Sequence, residues 1–548
     1  MKRQIQKRWL AALLGALAGI LIFLWVYGAA PLNVSWDGWI ANGYDEIDVQ
    51  QHYAGWLLFR NSHWTFPLGK ADNLAAPDGT IISYTDSIPW VSIALKALRW
   101  FLPPVFQWFG LYVLACFALQ GAAGALLVQR KAGLPVSVLG GALFVCLPSL
   151  WERAFRHTAL ASQWLILFAL YVYLEYRAGG CKKFPWQLAL LAFLSVGIHP
   201  YYLPPVMMFA LLAAVDCARR THRPLTALGV FGVPAAAALA GGWLCGAIGG
   251  GVVDNRGGYG AFSMNLNAPF NPISRGGYTW SRILPSLGQM PGQYDGFNYL
   301  GLGLLLLVGG ALAYAALHIR TAGGWWRRNG PLFAACVFMS AFAVSNVIYW
   351  GNQGFTIPLP EKLLELCSIF RASSRMFYFV AACMVLFGVY TVAGALPKKS
   401  AAVLLAVVLA VQLWDLSAAA AEKRAKWEEP QNATVMTNPK TQGLGLTHTN
   451  MMAIGDIRWE LSRLLAIQAG KEGLSTNLSV AVSGYYVQAY EAAQQAAAQL
   501  QSGSCDPDTV YVTTDESIYN TWQEAFAGDT GVELFVVHSC YFLVPTEG

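Results

Sequence analysis

Residues 10–31 read LAALLGALAGILIFLWVYGAAP and follow Lys2, Arg3, Lys7 and Arg8. A helix needs about 20 apolar residues to cross the hydrocarbon of a bilayer. Gly28-Ala29-Ala30 resembles a signal-peptide cleavage site. The run nevertheless exceeds the about 7–15 residues of a signal core, so a retained anchor is the preferred reading. The rest of the chain repeats the theme. Of 548 residues, 56% are hydrophobic and 12% charged, against about 25% charged in an average soluble protein. The mean hydropathy is +0.43. These values exclude a soluble enzyme, a disordered chain and a fibrous repeat. They indicate a mainly α, polytopic transmembrane helical bundle with sizeable polar parts.

Working outward, further apolar runs centre near residues 117, 142, 169, 191, 210, 236, 309, 340, 385 and 410, which with the first predicts about 11 spans. Pro200, Pro204 and Pro205 interrupt what would otherwise be one overlong helix over 186–216, and predict a turn at His199-Pro200-Tyr201-Tyr202. Alternate loops carry Arg130-Lys131, Arg177 with Lys182-Lys183, Arg219-Arg220 with Arg223, Arg320 with Arg327-Arg328, and Lys398-Lys399. By the positive-inside rule these loops and the amino terminus face the cytoplasm. The net charge of +6 is accounted for in this way, and no nucleic-acid partner is expected.

The opposite loops are long and acidic. Residues 33–88 hold Asp37, Asp45, Glu46, Asp48, Asp72, Asp78 and Asp86 against Arg60 and Lys70. The expected division is a membrane domain over 1–421, with exterior loops 33–88 and 250–298, and a small extracytoplasmic α/β domain over 422–548. In that tail the pattern predicts a helix from Tyr490 to Leu500 and strands at Val510-Tyr511-Val512 and Leu534-Phe535-Val536-Val537. Cys505 and Cys540 form either a disulfide or two free thiols. Nucleotide-binding and zinc spacings are absent from the sequence.

Polar groups cluster on the exterior side. In Tyr44-Asp45-Glu46-Ile47-Asp48-Val49-Gln50-Gln51-His52, a helix over 46–60 would align Asp48, Gln51 and His52 on one face, with Tyr53, Trp56, Leu57 and Phe59 opposite. That reads as an interfacial helix. Asp86, before Ile88-Pro89-Trp90, is either a functional carboxylate or a helix N-cap. Arg153, Arg156 and His157 follow Trp151-Glu152, and the expected partner is either an exterior anion or Glu152 together with the first-loop carboxylates. His199 and Tyr201 sit in the outer break. Arg371 and Arg375, four residues apart, are expected to share a helical face. Loop 250–298 adds Asp254, Asn255, Arg256, Asn265, Asn267, Asn271, Arg275, Tyr294 and Asp295, a composition that suits either a carbohydrate surface or any wet loop.

Carboxylates beside exterior arginines suit transfer from a lipid-phosphate donor. An acid would take the proton of an acceptor hydroxyl, and Arg153, Arg156, Arg371 and Arg375 would hold the departing phosphate. Asp48 is the first choice for the base, with Asp45 and Glu46 competing. Gln51, His52, Asp86, His157, His199 and Tyr201 are candidate substrate contacts.

One span, a long acidic first exterior loop and many further spans give a layout that resembles the GT-C superfamily of integral-membrane glycosyltransferases. Within it the sequence resembles a bacterial family of multi-span membrane proteins. The matching stretches are Asp48-Val-Gln-Gln51-His52, Trp64-Thr-Phe-Pro67-Leu-Gly69, Tyr84-Thr-Asp86-Ser-Ile-Pro89, Trp151-Glu-Arg153 with His157-Thr-Ala-Leu160, Asn265 to Pro272, and Phe370-Arg371 with Ser374-Arg375. The resemblance implies a polyprenyl-phosphate sugar donor, a glycan, glycolipid or protein acceptor, and a place in the bacterial inner membrane. It also implies a catalytic acid in the first exterior loop and, in some branches, a divalent cation such as Mg or Mn. A lipid-linked glycan transporter or a non-catalytic envelope-assembly protein are the alternatives.

Overall fold

The computed structural model describes residues 2–43, 48–248, 258–318, 323–429, 434–481 and 486–546. It is mainly helical, with a small sheet region near the carboxyl end. Six helices are long and apolar enough to cross a membrane: Ile5–Tyr27, Phe109–Gln129, Thr158–Ala178, Pro200–Thr221, Pro224–Cys245 and Ser373–Ala395. The pair Lys398–Asp415 and Ser417–Glu428, bent by 47°, makes a seventh if counted as one span. The remaining four places expected from the sequence, near 142, 191, 309 and 340, hold the shorter apolar helices Leu134–Val145, Trp186–Ile198, Leu302–Leu317 and Arg328–Val344. The count of about 11 spans is thereby reduced to six or seven of spanning length among the described residues. Hydropathy windows register apolar content, but a turn or a proline can cut the helix short inside the window.

The chain divides into two units by internal contact. One comprises residues 1–32, 108–239 and 255–428, and the other residues 33–107, 240–254 and 429–548. In the first, helices approach through small residues. A Cβ at Gly15 would overlap the Gly121 carbonyl, one at Gly121 would overlap the Gly15 carbonyl, and one at Gly141 would lie 2.7 Å from the Gly121 oxygen. Such contacts suit helices that gain little from hydrophobic exclusion in lipid and rely on close backbone packing. The helix Trp186–Ile198 stops at His199, whose backbone is extended, and the chain resumes after the short turn Pro200–Tyr202. This is the break the prolines predict.

In the second unit the segment after the first apolar helix joins the carboxyl-terminal sheet. Five strands lie in the order Ser475–Thr476, Asn450–Ala453, Thr509–Thr513, Cys540–Pro545 and Val532–Val537; the first three run parallel and the last two pair antiparallel. Helix Val487–Gln501 contains the one expected over 490–500. Tyr519, Trp522 and Phe526, on or just after helix Glu516–Ala525, bury against Tyr511 and Leu543. Asp515 caps that helix by accepting from Ser517 N. Leu74 bridges to Thr476. Thr476 N donates to Asn73 O (2.9 Å) and Asn73 Nδ2 to Leu58 O (2.8 Å). Ala489 N donates to Asp78 (2.8 Å), and the hydroxyls of Thr80 and Tyr486 are 2.7 Å apart. Cys505 and Cys540 are free thiols.

Helix Asp48–Asn61 corrects the interfacial reading. Every residue from Val49 to Arg60 is buried. Gly470 of helix Trp459–Glu472 allows the approach, because a Cβ there would lie 2.7 Å from that of Leu57. Gln50, polar in the sequence pattern, is internal and donates to the carbonyls of Ile40 and Ala41.

Candidate functional site

Each unit carries a cluster of sequence-predicted residues, built by different means. In the second unit, Asp48 is the first residue of its helix, where a carboxylate is favoured by the backbone dipoles. It is half-buried. One turn later His52 is fully buried. Burial, and then the positive charge of Arg463, lower its pKa to about 3, so the ring is neutral at ordinary pH. Arg463 comes from helix Trp459–Glu472 and is itself buried, with its guanidinium 3.5 Å from the Trp459 ring centroid. Burial lowers its pKa, opposed by the nearby charges of Asp48 and Glu460. The backbone of His52 is held by Ser87, whose hydroxyl donates to His52 O (2.8 Å) and lies 2.7 Å from the Thr85 hydroxyl. Gly55 makes room, since a Cβ there would overlap both hydroxyls. Gln51 is buried on the same helix. Asp45 and Glu46 lie outside the described residues.

Asp86 does not cap the following helix. Its own backbone is left-handed at φ 55°, and Ile88 occupies the N-cap of Pro89–Ala97. The aspartate oxygen and a His52 ring nitrogen instead lie within 4.8 Å of each other. One imidazole and one carboxylate are a poor match to Mg or Mn, which take mostly oxygen ligands and several of them. Among the described residues of this unit the donor set does not fit a hard cation.

In the first unit the arginines are embedded in ion pairs. Glu152, on helix Pro148–Arg153, lies 2.9 Å from Arg153, 2.8 Å from Arg156 and 3.1 Å from Arg275. Asp295 lies 2.8 Å from Arg153 and 3.1 Å from Arg375, and its backbone carbonyl accepts from Arg153 (2.7 Å) and from the Ser374 hydroxyl (3.1 Å). Burial would raise the pKa of both acids. Arg153, Arg275 and Arg156 overcome it at Glu152, and Arg153 and Arg375 hold Asp295 far below the usual carboxylate range. Four guanidiniums face two carboxylates, so this group carries a formal charge of +2 (four minus two). Gly276, at φ +71°, lets Arg156 approach the backbone where any Cβ would collide with Nη2.

Arg371 and Arg375 do not share a helical face. Arg371 lies in irregular chain before the short turn Ser373–Met376 and sits 5.7 Å from the Phe262 ring, whereas Arg375 lies within that turn and turns to Asp295. Tyr201 stacks under Arg375 at 4.5 Å and its hydroxyl accepts from Ala372 N. The rings of His157 and His199 are 5.1 Å apart, and those of His199 and Tyr201 5.3 Å. The structure thus gathers Arg153, Arg156, Arg375, His157, His199 and Tyr201 into one unit, and Asp48, Gln51, His52 and Asp86 into the other. Sequence reasoning did not single out Asp295 from its loop, nor Arg463 at all. The Glu152–Arg156 spacing of four residues was the one legible pairing signal.

A family described as a domain of unknown function (DUF6311) matches residues 16–417. No curated protein matches the chain.

Proposed function

The chain belongs to the DUF6311 family, and on that footing we propose that it is an inverting GT-C-type glycosyltransferase. It takes a sugar from a polyprenyl phosphate at the outer face of a bacterial cytoplasmic membrane and passes it to a glycan, glycolipid or protein acceptor. The proposed topology has the amino terminus in the cytoplasm and the carboxyl-terminal region outside. Each of the eleven apolar places read from the sequence holds a helix, counting the bent pair once, which supports an eleven-segment arrangement.

The observation that carries the reading is Asp48 at the head of a buried helix, followed one turn later by a histidine too weakly basic to compete with it. A general base must hold a lone pair available to the acceptor proton. Asp48 is a half-buried acid in the loop that the layout assigns to catalysis. It removes the hydroxyl proton as the acceptor oxygen attacks the anomeric carbon. The bond from that carbon to the phosphate oxygen breaks, and the lipid phosphate departs with the electron pair. Arg153, Arg156, Arg371 and Arg375 are the guanidiniums proposed for the departing phosphate, because guanidinium matches phosphate oxygens.

The test is transfer from an undecaprenyl-phosphate-linked hexose by the full chain in nanodiscs. Asp48→Asn should abolish transfer while the protein inserts and melts normally. Wild-type transfer by that variant would refute the assignment.

A further inference from the structure

We propose that the segment Pro89–Phe101 lies in the membrane–water interface, with Leu98, Trp100 and Phe101 inserted among lipids. The inference goes beyond sugar transfer and does not depend on it. Helix Pro89–Ala97 and the turn Arg99–Phe101 are inside-out by the standard of a water-facing element. Their polar groups point inward. Lys96 Nζ donates to the Ser62 hydroxyl (2.7 Å) and His63 O (3.0 Å), and lies over the rings of Phe59 and Trp64 at 4.1 and 4.6 Å. Arg99 donates to the carbonyls of Arg60 (3.1 Å) and Ser62 (3.3 Å). Arg60 answers by donating to those of Pro103, Pro104 and Leu102. Ser92 donates to Ser87 O and is buried.

The apolar groups point outward. Leu98 is 51% exposed, Trp100 81% and Phe101 85%. A surface helix in water shows the opposite arrangement, with its apolar stripe inward and its cations outward. Tryptophan beside a cation is the composition of the headgroup layer, and Arg99 lies 4.6 Å from the Trp100 ring.

Two features select lipid over a protein partner as the occupant. Phe101 precedes Phe109, the first residue of a helix long enough to span a membrane, by eight residues, a reach of at most about 29 Å. The same unit also contains the end of the apolar helix Pro224–Cys245. There the exposed Trp243 packs against the exposed Phe66 at 4.5 Å, and Leu68 N donates to Leu244 O. Trp64, two residues before Phe66, is the ring that covers Lys96. An outward apolar edge therefore leads from the end of a helix of spanning length, through Trp243, Phe66 and the chain-adjacent Trp64, to Lys96 of the proposed segment.

The experiment places the photo-crosslinking residue p-benzoylphenylalanine at Phe101, at Leu98, or at the exposed Tyr490 near the sheet. The full chain is then irradiated in vesicles of phosphatidylethanolamine and phosphatidylglycerol. Lipid adducts, read by mass, are expected at 101 and 98 several-fold above those at 490. Adducts to protein alone at both positions, or lipid yields equal to those at 490, would overturn the proposal. Unchanged thermal melting of each labelled protein verifies the fold, and the two sites guard against failure of either.

Discussion

At Glu152 and Asp295 arginines outweigh burial and keep both carboxyls ionised, whereas at His52 burial prevails and the ring stays neutral. Both groups are enclosed. The difference lies in the company each keeps. The first-unit cluster draws its charges from helix Pro148–Arg153, from the loop that includes Arg275 and Asp295, and from the turn Ser373–Met376. Such a network fixes three segments against one another, because moving any of them strands a charge in a poorly solvating interior. The second-unit group places a carboxylate at a helix start, a neutral imidazole, hydroxyls and one arginine stacked on tryptophan. It is where proton transfer is proposed.

The strongest way to break this contrast is to empty the centre of the network. Asp295→Ala leaves Arg153 and Arg375 facing each other without their shared counter-charge, which should destabilise the protein by about 3–5 kcal/mol. Thermal melting in detergent measures it. Because Asp295 is held below its ordinary value of 3.8, its folded pKa is depressed. Its contribution is then complete above that ordinary value and disappears only as pH falls through the folded one. The variant's deficit should accordingly persist down to about pH 4. An unchanged melting temperature would show that the ion pairs do not hold the loop.

The next effect is on rate instead of stability. Asp48→Asn should cost about 100- to 10,000-fold in transfer, the usual weight of general-base catalysis, with melting altered by less than about 1 kcal/mol, as for a conservative change at a half-buried position. If Asp48→Asn melts as badly as Asp295→Ala, the two clusters are both structural and the comparison collapses.

Local patterns were legible and distant partners were not. The eleven apolar places, the break at His199, the helix beginning near residue 48 and the tail strands at 510–512 and 534–537 all announce themselves within about 20 residues, by run length, proline or alternation. The sequence pattern could not show that helix Asp48–Asn61 would be enclosed on every side, because Leu57 meets Gly470 from the far end of the chain. Asp295 had no local signal either: Arg153 and Arg375 lie 142 and 80 residues away. The i, i+4 spacing of Arg371 and Arg375 misled because it presumes a continuous helix, and the chain there is irregular before a short turn. Asp86 looked like a cap because Pro89 starts a helix, but its left-handed backbone places it in the preceding turn.

The smallest expected effect concerns His52 and sharpens the comparison from the side where burial prevails. Its folded pKa of about 3 lies below the ordinary 6.5. Between those values the unfolded chain binds a proton that the folded one refuses, so stability falls as pH drops from about 6.5 toward 3. His52→Gln, which keeps polarity and approximate size without titrating, should flatten that limb of melting temperature against pH while changing little at pH 8. Arg463→Met separates the two causes. Removing the guanidinium removes the lesser of the two influences that lower the His52 value, so the limb should begin its fall at the same pH and become shallower, without vanishing. Were Arg463→Met to abolish the limb as fully as His52→Gln does, charge repulsion and not burial would be keeping the ring neutral. The second unit would then obey the same electrostatic logic as the first.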